Sequence, residues 1–382
     1  MTRERGGIVK TWLAVMTAVL SVLFVHPAWA QSYPSRPIRL IIGVPPGGAA
    51  DFTARIVGQK LTEAMGQNVV AENRGGAGGT IASDITSKAS PDGHTLLWSS
   101  STTHGVGPVL YTKLPYDALK GFTHIALATS LPMFVVAHQS VPVKSVKELI
   151  ALARAKPDTL HFYSSGSGGM PHLVGEMFKA ATGSPIVHVP YKGSGPGVVD
   201  LAAGHVQLAF DSLPSIYPHV QSGRIKLLAT VGKSRTGLYP DLPSLGEIGY
   251  PQVDGKVWYG ISGPPGMSKT VVSRISAELK KILDLPDVKQ RFGQQGADTS
   301  YLPPDEFVAF MKAEWAKWGP VVKATNSSGG RYEVSAPCWP KRCFTSGISR
   351  ILFNSALMRL TTAFDMPGGP EMPYQTLPST WG

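Results

Sequence analysis

From residue 37 to about residue 322, strand-like apolar runs take turns with amphipathic runs of helical period. The first run, Ile38-Arg39-Leu40-Ile41-Ile42-Gly43-Val44, predicts a strand, and a Pro-Pro-Gly-Gly turn follows it. Phe52, Ile56, Val57, Leu61 and Met65 then recur at helical spacing until Gly66 ends the run. Val69-Val70 and Thr95-Leu96-Leu97-Trp98 predict two more strands, separated by the glycine-rich stretch 75–79 and a helix over 80–89.

A second series begins after Phe134-Val135-Val136-Ala137. It predicts helices over 146–156, 172–182 and 197–203, and strands over 160–164, 186–190, 206–211 and 226–231. After the run Val257-Trp258-Tyr259-Gly260-Ile261, two long amphipathic helices over 269–283 and 304–323 close the pattern. Strands alternating with helices of this length imply βαβ units and an α/β fold with parallel sheets. Residues 327–382 lose the rhythm and gain Pro, Gly, Ser and Thr, with one helical candidate over 351–360. They read as a poorly ordered tail that folding and ligand binding do not need, of frame-altered or purpose-built origin.

The start of the chain changes the picture most. Arg3, Arg5 and Lys10 precede an uncharged apolar run over 11–25, and the segment closes on Ala28-Trp29-Ala30. That is the layout of a secretory signal peptide cut after Ala30, so the mature protein is expected to begin at Gln31 and work outside the cytoplasm. A membrane-spanning helix needs about 20 apolar residues, and this run stops at His26-Pro27.

The formal charge is +11, of which residues 1–30 supply +2 (Arg3, Arg5 and Lys10 against Glu4), leaving +9 on the remainder. The basic residues are scattered, without the patch that nucleic-acid binding requires. Gly (42) and Pro (32) are abundant, which in a globular chain means many tight loops. Cys338 and Cys343 both lie in the tail, so the body must rely on its apolar core.

Chemistry concentrates at three strand–glycine loop–helix junctions. They are Pro45-Pro46-Gly47-Gly48-Ala49-Ala50-Asp51, Ser164-Ser165-Gly166-Ser167-Gly168-Gly169-Met170-Pro171-His172, and Pro190-Tyr191-Lys192-Gly193-Ser194-Gly195-Pro196. Unpaired backbone N–H groups and the helix dipole make such places suited to a carboxylate or phosphate, unless they are only tight turns. No P-loop is present, and Pro171 breaks the dinucleotide fingerprint. No Gly-x-Ser-x-Gly elbow or His-Glu-x-x-His occurs. His172 could bind an anion or cap its loop, and Asp211, at a strand end, could face a ligand or cap a turn. Trp258 and Tyr259 could wall a cleft or pack in the core.

In this order, the junctions resemble the tripartite tricarboxylate transporter substrate-binding proteins, the Bug-type receptors. Matching stretches are residues 46–51 with Ala54-Arg55, Glu72-Asn73-Arg74-Gly75-Gly76-Ala77-Gly78-Gly79, Pro91-Asp92-Gly93-His94-Thr95-Leu96 and Leu114-Pro115-Tyr116-Asp117. Others are residues 164–168 with His172-Leu173 and Glu176, Val189-Pro190-Tyr191-Lys192-Gly193, Asp200-Leu201-Ala202-Ala203-Gly204 and Phe210-Asp211. Together they cover about residues 33–323. The chain departs from the family at Gly43-Val44-Pro45, where an aromatic is common, at Gly169, where Thr is common, and in its tail.

The resemblance implies a type II periplasmic-binding architecture of two α/β lobes, with a ligand cleft between them. Lobe one is expected over 31–130 and 258–326, and lobe two over 131–257, with crossings at 125–137 and 257–262. It implies a receptor, not an enzyme, that closes on a small organic anion and passes it to the membrane permease of a tripartite transporter. The anion is expected to be a mono- or dicarboxylate, with an amino acid or aromatic acid behind it. Candidate ligand-binding residues are Pro46, Gly47, Gly48, Asp51, Ser99, Ser164, Gly166, Ser167, Gly168, His172, Tyr191 and Asp211. No cofactor, metal or nucleic acid is expected, and the protein is expected to be monomeric. A secreted hydrolase using Ser165 or Ser167 with His172, or a sensor subunit for a membrane kinase, are the alternatives.

Overall fold

The computed structural model describes residues 33–324; the expected signal peptide, the tail and its cysteines lie outside them. Among these residues ten strands join in one mixed sheet. The first strand, β1 (Ile38–Ile42), is buried at every position except Arg39, as befits a parallel strand covered on both faces. It pairs in parallel with β2 (Val69–Asn73) and β3 (Thr95–Ser100), Ile38 opposite Val69 and Leu40 opposite Leu96. Between β1 and β2 runs α1 (Ala49–Met65), which ends where Gly66 turns left-handed (φ 69°) and its N–H bonds back to Thr62. A short turn at Ala77–Gly79 leads into α2 (Thr80–Ser87).

After β3 come a wide helical turn (Ser101–Val106) and the short α3 (Gly107–Leu110). The next strand, β4 (Thr123–His138), organises the molecule. Its first part, to Pro132, pairs with β9 (Lys256–Gly263) and β10 (Asp298–Leu302), both antiparallel. From Met133 onward it pairs instead with β7 (Leu208–Ser212) and β8 (Ile225–Thr230). Pro132, which has no N–H to donate, stands at the change of partners. One strand thus serves two half-sheets.

The second half holds α4 (Val146–Ala155), β5 (His161–Ser164), α5 (Met170–Thr182), β6 (Val187–Pro190), α6 (Ser194–Ala203) and α7 (Leu213–Gln221). Strands β6, β5 and β7 lie side by side in parallel. The chain returns to the first half before β9, which pairs only with β3 and β4. Then α8 (Lys269–Asp284), α9 (Pro286–Gly293) and α10 (Pro304–Ala324) follow, the last two flanking β10. One apolar cluster joins β1, β3, α1 and α8 to the α4 and α5 side of the second half.

Most expected elements form within a few residues of their expected limits. The wide turn with α3, and α7, α9 and β10, were not anticipated. The second expected crossing, over 257–262, falls within β9, where Val257 and Trp258 pair with Leu131 and Ser130 of β4.

Candidate functional site

At the first junction Gly47 has φ +92° and Gly48 caps α1 with backbone alone. Asp51 does not point outward. Its Oδ2 accepts the Gly47 N–H at 3.2 Å, and its Oδ1 accepts from Arg55 Nε at 2.8 Å and Asn73 Nδ2 at 3.0 Å. Asn73 Nδ2 also reaches the Val44 carbonyl at 2.9 Å, so the Glu72-Asn73-Arg74 stretch braces this loop from behind. Burial alone would raise the Asp51 pKa, but these donors outweigh it and hold the carboxylate below its usual range. Asp51 is a staple of the loop that carries Pro46, Gly47 and Gly48.

The second junction is stapled in the same way. Ser164 Oγ accepts the Gly166 N–H at 3.2 Å and lies 2.6 Å from His188 Nε2. His172 Nδ1 accepts the Gly168 N–H at 3.1 Å, and its ring lies 4.1 Å from that of His188. Burial lowers both imidazoles, His188 to about 3, so both are neutral at neutral pH. His172 therefore caps the glycine loop through an accepting Nδ1. Gly166 and Gly168 take φ of +134° and +78°, and Ser165 and Ser167 have no hydroxyl partner among the described residues.

At the third junction the Tyr191 hydroxyl is spent on Asp200 Oδ2 at 2.6 Å; burial and that carboxylate push its pKa up to about 12. Asp211, at the end of β7, is 2% exposed. Its Oδ2 accepts from Tyr163 at 2.8 Å and its Oδ1 from the Ser212 N–H at 2.7 Å, with the Ser194 and Ser215 hydroxyls near enough to favour the ionised form. Burial is the larger effect and raises its pKa. The Tyr259 pKa is raised by burial and by the Asp211 charge.

Contacts between the half-sheets bring the first and third junctions together. The Ala49 N–H donates to Ser215 Oγ at 3.3 Å. A Cβ on Gly48 would lie 3.7 Å from Ser194, one on Gly193 would lie 2.8 Å from Pro45, and one on Gly195 would lie 2.9 Å from the Pro46 carbonyl. Helices α1, α5, α6 and α7 all start without a side-chain cap. Ser215 takes the Ala49 N–H of α1, and Pro171, Pro196 and Pro214 have none to give; the remaining first-turn N–H groups and the helix dipoles favour an anion. Ser99 stands apart. Its Oγ donates to the Gly260 carbonyl at 3.0 Å and accepts from Ser262 at 3.2 Å, inside the sheet.

Sequence reasoning missed Tyr163 and Ser215, named Ser194 only as part of the third junction, and did not foresee Trp98, whose ring stacks with that of Tyr259 at 6.1 Å. Trp98 Nε1 and Ser101 Oγ are buried without a partner among the described residues. A separate cavity of about 320 Å³, lined by Leu127, Lys256, Trp258, Phe310 and Glu314 among others, lies against β4, β9 and α10, away from the junctions. No group of three metal-ligating side chains occurs among the described residues, and none of their helices is long and apolar enough to cross a membrane.

Two α/β halves sharing one long strand, with the starts of α1, α6 and α7 brought together where the halves meet, define a solute-binding protein of type II periplasmic architecture. The chain belongs to the tripartite tricarboxylate transporter family of receptors, whose family model matches residues 53–327. It is 34% identical over 321 residues to protein BugT of Bordetella pertussis, covering 82% of this chain and 98% of that protein. A Rhodopseudomonas palustris protein, Rpa4515, solved with adipate, is 31% identical with a TM-score of 0.75, over 77% of this chain and 98% of that one. MatC from the same organism, with bound malate, is 28% identical with a TM-score of 0.72, over 76% and 100%. The chain is accordingly a periplasmic solute-binding receptor and not an enzyme, which disposes of the hydrolase alternative.

Proposed function

We propose that this receptor is exported with cleavage after Ala30, binds a small mono- or dicarboxylate, and delivers it as a monomer to the permease of a tripartite transporter. The lobes are residues 31–130 with 258–326, and residues 131–257. The carboxylate lies between them, against the backbone of Pro46, Gly47 and Gly48, the serine loop Ser164–Gly168 and the hydroxyl groups around Asp211. Asp51, His172 and Tyr191 act by holding these loops in shape.

The observation that carries this reading is the meeting of the α1 start, uncapped by Gly48 though Ser215 takes its Ala49 N–H, with Ser194 beside Asp211. Amide N–H groups with no side-chain cap favour an oxyanion, and glycine lets it approach the backbone. The relatives solved with adipate and with malate support the same class of ligand. A thermal-shift screen of the purified protein against mono- and dicarboxylates, amino acids and aromatic acids tests it. A raised melting temperature with a carboxylate and no turnover is expected. No shift with any acid in the panel would remove the carboxylate reading.

A further inference from the structure

Tyr111, the residue that ends α3, donates its hydroxyl to the Ser167 carbonyl at 3.2 Å. The two residues belong to opposite half-sheets: α3 follows β3, and Ser167 lies in the loop from β5 to α5. The phenol oxygen is 3.2 Å from where a Cβ would stand on Gly78, and the same distance from one on Gly168. Both glycines have positive φ, +64° and +78°, so the oxygen sits in a seat that bare backbone leaves open. Beside it Leu110 Cδ2 would be 2.1 Å from a Cβ on Gly168, so this loop admits no side chain where it meets α3.

We propose that Tyr111 is the latch that holds the two lobes closed over the ligand, setting how long a ligand stays and not which ligand enters. The inference rests on the receptor reading given above. Its acceptor is a main-chain carbonyl, so the bond is indifferent to the chemistry of the bound solute. The bond joins the two halves and must break when they part, so its loss acts on release and not on encounter.

The test compares the full chain with Tyr111→Phe, which keeps the ring and removes one donor. Adipate and malate are the first probes, or the two acids with the largest melting shifts if those two do not bind. Association and dissociation rates are read from tryptophan fluorescence in a stopped-flow instrument. Dissociation should quicken about twofold to tenfold, the worth of one neutral hydrogen bond, by the same factor for both acids. Association and the ligand-free melting temperature should not change. Gly168→Ala, whose Cβ meets Leu110, should quicken dissociation too. An unchanged dissociation rate in Tyr111→Phe overturns the latch, as does an effect confined to one acid, which would make Tyr111 a ligand contact. Both results leave the receptor reading standing. Failure of every acid to bind the unaltered chain removes that reading, and the latch with it.

Discussion

The Ala49 N–H reaches Ser215 Oγ at 3.3 Å across 166 residues of sequence, tying the start of α1 in one half-sheet to α7 in the other. Ser215 also lies close enough to Asp211 to favour its ionised form, so a single hydroxyl links a helix start to a buried carboxylate. Ser215→Ala should therefore weaken ligand binding by about 0.5–1.5 kcal/mol, the net worth of one hydrogen bond. Titration of both proteins with the same acid checks this. A variant whose ligand-free form melts much lower while its affinity is unchanged would make Ser215 a packing residue only.

The two glycines that open the first junction should behave differently. Gly47 has φ +92°, so Gly47→Ala forces a side chain into left-handed backbone and should cost about 1–2 kcal/mol of stability. Gly48 has φ −100°, and a Cβ there would stand 3.7 Å from Ser194, an ordinary contact. Gly48→Ala should melt within about 0.5 kcal/mol of the parent, as a substitution free of strain does. Gly48→Val should keep the fold and lose ligand, because its branches fill the approach to the backbone. Equal melting of the two alanine variants would contradict the assignment of strain to Gly47.

Acid should weaken the fold through buried imidazoles. His124 is lowered from 6.5 to about 4 by burial, and His104, whose ring lies 5.8 Å away, is also lowered well below 6.5 by burial and by His124. A histidine with a depressed folded pKa takes its proton first in the unfolded chain, so stability falls as pH drops below 6.5 and levels off below about 4 for His124. The loss from this residue is on the order of 3 kcal/mol at pH 4. Denaturant unfolding of the parent and His124→Gln at pH 7, 5.5 and 4 checks it. The variant should lose less stability over that range, whatever its stability at pH 7, and parallel curves would contradict the prediction.

What the sequence shows and hides follows from where the physics is local. The first strand and α1 were legible because Ile38, Leu40 and Ile42 stack on one face and Gly66 ends a periodic run. The first part of β4 was only partly legible, since Thr123, Thr129, Ser130 and Pro132 interrupt its apolar residues. The short α7 carries Pro214 and Pro218, which read as a loop although a proline in the first turn costs a helix little. The mostly polar α9 buries only Val288 and Phe292, too few for a period. Ser99 could have been placed by alternation, because it shares a face with Leu97 and not with Trp98. The bonds Ala49–Ser215 and Tyr111–Ser167 join residues far apart in the chain, and no local pattern encodes them.

Calorimetric titration with one carboxylic acid and with its neutral amide tests the central claim most directly, because the crevice is argued to select an oxyanion. The acid should bind with one-to-one stoichiometry, and the amide, alike in shape but without the charge, should bind at least tenfold more weakly, a difference of about 1.4 kcal/mol. Binding of acid and amide with equal affinity would contradict the account of the uncapped helix starts as an anion site.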